Sequence, residues 1–140
     1  MLGSMPLLII PFILYNIGLT GVLGAAGVAA GDPWKMELFS FQMMSGGVFI
    51  LTLGDALIVT ALVLLFIEVV KSTRTSNWSV VDHLLSTFVF VAFLVEFLLV
   101  RGAAHSVFFI LMVITFVDLL AGFSVSIRSA RRDVNLGTEA

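Results

Sequence analysis

The sequence predicts an all-α membrane protein: a four-transmembrane-helix bundle with a small extracytoplasmic β-hairpin between helices 1 and 2. Three observations predict it. Sixty per cent of the 140 residues are apolar, only 11% are charged, and the mean hydropathy is +1.17; a soluble domain carries about 25% charged residues. Four apolar runs are long enough to cross a hydrocarbon core about 30 Å thick, which takes about 20 helical residues, the second only just. Between the first two runs, a Gly-rich turn separates two stretches of β-forming residues.

The first span covers about residues 6–29. Pro6 suits a helix start, and Pro11 falls in the second turn, where proline bends a helix. No Lys or Arg precedes Lys35, so the basic region of a signal peptide is missing, and the run is too long for its apolar core. The run is therefore expected to be retained as the first helix.

A hairpin is expected over about 36–53. Met36-Glu37-Leu38-Phe39-Ser40-Phe41-Gln42-Met43 alternates in places, Ser45-Gly46-Gly47 supplies turn chemistry, and Val48 to Leu53 is rich in β-formers. The alternative is that 47–54 extends the second helix. That helix is expected over about 55–70, with Asp55 as N-cap accepting exposed backbone N–H groups. The third covers about 80–100, with Ser79 or Asp82 able to cap it, and the fourth about 106–127, followed by a cytoplasmic tail at 128–140. Lys71, Arg74, Arg128, Arg131 and Arg132 lie on one side of these spans, and Lys35 and Arg101 on the other. The excess of basic residues places both termini in the cytoplasm. Trp34 and Trp78 fall near opposite interfaces, as membrane anchors do.

Ionisable residues inside the spans carry the functional question, because each costs about 2.5–3.5 kcal/mol at a helix centre by insertion scales. Asp118 lies about nine residues from the end of its span, roughly 13 Å deep. The same depth falls near Tyr15 and Asn16 on the first helix, Thr60 on the second and Ser86 to Val89 on the third. One buried polar layer is expected, with Asn16 or Tyr15 donating to Asp118. Asp118, Gly122, Ser126 and Ala130 recur every four residues, so they share a face whose small residues permit close helix packing. Asp118 then reads either as packing glue or as part of a proton or cation relay.

Glu96, near the outer end of the third helix, is expected to pair with Arg101 or touch the hairpin, or else to form a cation site at the outer mouth. Glu68 has Lys71 three residues on, a helix neighbour with which it can reach the cytoplasmic interface. Asp82 and His83 open the third helix on the same side, with His83 as an interfacial hydrogen bonder.

Other chemistries lack their residues. The absence of Cys removes disulfides and thiolate sites. His83 and His105 stand at opposite ends of the bundle and cannot share a haem. No metal-binding histidine spacing, nucleophile elbow or phosphate loop is present, so no cofactor, metal or catalytic residue is expected. A charge of −2 without a basic stripe gives no nucleic-acid partner.

Ser45-Gly46, Gly54-Asp55, Glu68, Asp82-His83, Glu96, Asp118, Gly122-Phe123 and Arg132-Asp133 span most of residues 45–133. On these elements the chain resembles a family of small four-helix bacterial inner-membrane proteins with no assigned activity. The resemblance implies a multi-pass protein of a bacterial inner membrane and lends no mechanism. The expected function is a non-enzymatic assembly or accessory subunit, in a homo-oligomer or with other membrane subunits, among membrane lipids. The alternative is a proton or cation pathway through Asp118, Glu96 and Asp55.

Overall fold

The computed structural model describes residues 5–20, 31–73 and 79–138. The chain is mostly helical, in the order α1 (Ile9–Leu19), β1 (Glu37–Gln42), β2 (Val48–Thr52), α2 (Leu53–Ser72), α3 (Ser79–Leu99) and α4 (Ser106–Thr138). Short 3-10 turns at Pro33–Lys35 and Arg101–Ala103 precede β1 and α4. Three stretches, Leu53–Ser72, Val80–Leu99 and Ser106–Val125, have mean hydropathies of 2.4, 1.9 and 2.4 and are long and apolar enough to cross a membrane. α1 is shorter, at 11 residues. Of the first span expected over about 6–29, residues 21–29 lie outside the described residues, as do Arg74 and Trp78.

α4 packs against both α2 and α3 and carries the centre of the molecule. Phe108 and Leu111 of α4 meet Phe93 of α3 and Leu57 and Ala61 of α2 in one buried cluster. Aromatic rings hold α1 to it. Phe12 meets Phe93 edge-on at 5.0 Å, and Tyr15 lies 4.8 Å from Phe108 and stacks on Trp34 at 4.6 Å. Such pairs are worth about 0.5–1.5 kcal/mol beyond their area. Trp34 is thus a core residue, only 4% exposed, rather than an interfacial anchor. Gly54 makes this possible: a Cβ there would stand 2.9 Å from Val107 and 3.0 Å from the Trp34 carbonyl oxygen.

Two helix ends differ from the sequence expectation. α2 begins at Leu53 with Thr52 as its N-cap. The Asp55 N–H donates to the Thr52 hydroxyl, and the Thr52 N–H donates to the Asp55 carboxylate, each at 3.2 Å. Asp55 therefore closes a capping box from inside the first turn instead of capping the helix itself, because the threonine hydroxyl already takes its N–H. At the other end of the chain, α4 continues to Thr138, past the tail boundary expected at 127. Hydropathy marks where an apolar span ends, and Arg, Ser and Ala continue a helix without it.

β1 and β2 pair antiparallel, with Phe39↔Leu51, Ser40↔Ile50, Phe41↔Phe49 and Gln42↔Val48 in register and an irregularity between Glu37 and Phe39. The turn closes through Met43 N–H to Gly47 O at 2.7 Å and Gly46 N–H to Met43 O at 3.0 Å. Gly46 has φ +89°, a conformation that favours glycine. Leu53 N–H to Met36 O, at 2.8 Å, ties the hairpin's base to the start of α2. Every residue of β1 and Val48–Ile50 of β2 are exposed, so the hairpin stands outside the core.

Candidate functional site

Polar side chains gather at the two ends of the bundle. The first group sits at the start of α3 and the end of α2, away from the hairpin. Glu68, only 2% exposed, accepts the Leu7 N–H at 2.7 Å and the Lys71 ammonium at 3.1 Å. Lys71 also donates to the Met5 carbonyl at 2.9 Å and lies 3.9 Å from Asp82. Asp118, 8% exposed, faces Ser86, with Glu68, Asp82 and Lys71 close enough to act on its charge. Against this group the His83 ring packs on Gly122 and meets Phe123 edge-on at 4.3 Å.

Gly122 is required there, since a Cβ would stand 2.8 Å from His83 Nδ1. The face shared by Asp118 and Gly122 is thus the seam between α3 and α4. The Ser126 side chain, on the same stripe, lies outside the described side chains. The group offers three carboxylates and one ammonium within the end of a helix bundle, a formal excess of two negative charges when all are ionised. Among the described residues no three His, Asp or Glu side chains converge as metal ligands.

The second group sits at the hairpin end. Asn16 Nδ2 donates to Glu96 Oε2 at 3.1 Å and to the Phe12 carbonyl at 3.0 Å. The Tyr15 hydroxyl donates to the Gly102 carbonyl at 2.8 Å. Asp32 Oδ2 lies 2.7 Å from His105 Nε2, while Oδ1 accepts the Trp34 N–H at 3.0 Å. Burial pushes the Asp32 carboxyl up, but the His105 bond, the Trp34 N–H and the charges of His105 and Lys35 outweigh it and hold it below the ordinary carboxylate range.

The expected partners of Asp118 are corrected by this arrangement. Tyr15 and Asn16 belong to the hairpin end, and Asp118 belongs with Glu68, Asp82 and Ser86. Equal depth assumed that every helix starts in one plane. Leu7, just before α1, is held at Glu68, one turn inside the end of α2, so Tyr15 and Asn16 ride higher. Glu96 likewise takes Asn16 rather than Arg101, which is exposed. Glu68 is buried rather than turned to an interface, because the Leu7 N–H and Lys71 both need its carboxylate. Thr60 donates to the Ala56 carbonyl of its own helix and joins no layer. Asp55 lies exposed at the hairpin base, apart from Asp118. The Asp32–His105 pair was missed, although Asp32-Pro33 carries the local signal of a cap followed by proline at N1.

No family model, curated protein or solved structure matches the chain.

Proposed function

We propose that this chain is a non-enzymatic, multi-pass membrane protein that serves as an assembly or accessory subunit, in a homo-oligomer or with other membrane subunits. The hairpin is the observation that carries this reading. Phe39, Phe41, Phe49, Val48, Ile50 and Met44 are all exposed on an element that contributes nothing to the chain's own core. A two-stranded hairpin is marginal alone, and exposed apolar surface of this kind marks an interaction site. The polar side chains support the same reading, since Glu68, Asn16, Tyr15, Glu96 and Asp32 find partners within the chain. The basic residues favour cytoplasmic termini, and the resemblance quoted above favours a bacterial inner membrane. Native mass measurement of the protein with its lipids tests the proposal: oligomers or a second subunit are expected, and a strict monomer that co-purifies with nothing refutes it.

A second reading rests on the Glu68–Asp82–Asp118 group, in which Glu68 and Asp82 share Lys71. It makes the protein a proton or cation pathway. It expects Asp118→Asn to abolish flux in liposomes while the assembly persists; no flux in the unmodified protein across pH and voltage refutes it.

A further inference from the structure

The hairpin has an open edge whose backbone pattern is fixed by its register. Met43 N–H donates to Gly47 O, so Met43 and Gly47 form a hydrogen-bonded pair. Hydrogen-bonded and non-hydrogen-bonded pairs alternate along an antiparallel ladder. Phe41↔Phe49 and Phe39↔Leu51 are therefore hydrogen-bonded pairs, and Ser40↔Ile50 and Gln42↔Val48 are not. Ser40 and Gln42 thus turn their N–H and C=O groups away from β2. Among the described residues the sheet has these two strands, so those groups point to its open edge.

Only the Glu37 end of β1 carries a guard on that edge. Natural edges are protected by lysine, proline, inward charges or bulges. From 36 to 43 there is no Lys, Arg or Pro, and the only charge, Glu37, stands beside the irregularity at one end. Phe39, Phe41, Phe49 and Leu51 share one face, with the Phe41 and Phe49 rings 5.4 Å apart.

We infer that β1 pairs antiparallel with β1 of a second copy about a two-fold axis at Ser40, giving a four-stranded sheet. This rests on the assembly reading above and names its partner. The register rests on two conditions. Opposed residues must share a face, so the axis passes through a residue and not between two. We place the axis at Ser40, the residue nearest the middle of Glu37–Gln42 whose backbone groups point outward, so that the outward groups of both Ser40 and Gln42 gain a partner. Ser40 then exchanges two backbone hydrogen bonds with its own counterpart, and Gln42 meets the second copy's Leu38. Phe39 faces the second copy's Phe41 and the reverse, extending the aromatic face across the axis. The two Glu37 carboxylates fall at opposite ends and do not repel. A bilayer would cover the phenylalanines but leave the Ser40 and Gln42 backbone groups unpaired; a second copy satisfies both.

The chain has no Cys, so a single introduced cysteine is its only thiol. Full-length Ser40→Cys, Phe39→Cys and Phe41→Cys are oxidised mildly in liposomes. In this register the two Ser40 Cα atoms lie about 5.5 Å apart, within disulfide reach of about 7 Å. Two Phe39 Cα atoms lie about 8 Å apart, beyond it. Ser40→Cys is expected to crosslink at least about tenfold faster than either neighbour, and Leu38→Cys mixed with Gln42→Cys to give a heterodimer neither gives alone. Ser40→Pro removes an N–H that the hairpin does not use, so helical content is retained while the dimer fraction falls about tenfold. An oligomer in which Phe39→Cys or Phe41→Cys crosslinks as fast as Ser40→Cys overturns the Ser40 axis, and one in which none of the three crosslinks overturns the hairpin interface and leaves the assembly reading standing. A strict monomer with no co-purifying subunit overturns both.

Discussion

Glu68 should be the most expensive polar side chain to remove. It is 2% exposed, it accepts a backbone N–H from the segment before α1 at 2.7 Å, and it neutralises Lys71 at 3.1 Å. Alanine leaves the Leu7 N–H without an acceptor, about 1–3 kcal/mol. It also leaves Lys71, itself 13% exposed, with Asp82 at 3.9 Å and the Met5 carbonyl. Breaking a buried pair from one side destabilises by about 3–5 kcal/mol, and the partial exposure of Lys71 favours the lower end. Glutamine keeps an acceptor for Leu7 and loses the charge. Charge-assisted bonds are about twice as strong as neutral ones, so Glu68→Gln should lose about 1–2 kcal/mol. The assay is reversible unfolding in mixed micelles with increasing SDS, followed by helical signal, for both variants and for Lys71→Met. Glu68→Ala in the Lys71→Met background should lose less than in the parent, because the orphaned ammonium is gone. Equal losses for Ala and Gln, or an Ala loss under about 0.5 kcal/mol, would refute the reasoning.

Other outcomes follow from the same geometry. Gly122→Val should destabilise by about 1–3 kcal/mol by driving a branched side chain into the His83 ring, and His83→Ala should relieve part of the loss; SDS unfolding of the double variant checks the coupling. Tyr15→Phe should lose about 1 kcal/mol, the hydroxyl bond to Gly102, while near-ultraviolet dichroism shows the Trp34 stack retained. Asp32 is held below the ordinary carboxylate range, so it contributes stability above about pH 4 that is lost as pH falls through its lower folded value. Asp32→Asn should flatten that acid limb in thermal unfolding scans, and a slope unchanged by the substitution would sink the assignment.

The features written in local sequence were legible, and those set by one helix against another were not. Ser45-Gly46-Gly47 between β-formers marks the hairpin, and the apolar runs mark the four helical elements, of which the first, expected over about 6–29, is described as a helix over Ile9–Leu19. The stripe of Asp118 and Gly122 is visible because both lie on one helix face. Its partners are not visible, because the axial offset of α1 depends on a bond between Leu7 and Glu68, 61 residues apart. Arg101 tempted as a partner for Glu96 because it is near in sequence. α3 ends at Leu99 and Val100 is extended, so Arg101 leaves the helix, and Asn16, from another helix, takes the carboxylate instead. His105 and Asp32, 73 residues apart, could not have been paired by spacing at all.

The short first helix explains why carboxylates lie within apolar helices. The 11 residues of α1 make about 16 Å of helix, roughly half of what a bilayer core needs. Its buried stripe is only Pro11, Tyr15 and Gly18, while Ile9, Ile10, Ile13, Leu14 and Ile17 face outward. So narrow a stripe buries too little to fix a helix by packing alone. Polar bonds at both ends complete the attachment: Glu68 and Lys71 hold the segment before it, and Glu96 and the Gly102 carbonyl hold Asn16 and Tyr15. Of the five carboxylates in the three long apolar helices, Glu68 and Glu96 are therefore committed to docking α1, and Asp55 to the cap of α2. Asp82 and Asp118 remain, on adjacent helices, flanked by Ser86, His83 and a lysine shared with Glu68. Of the residues expected in a proton or cation pathway, Glu96 accepts from Asn16 and Asp55 closes the cap of α2, while Asp118 stands with Asp82 at the other end of the bundle.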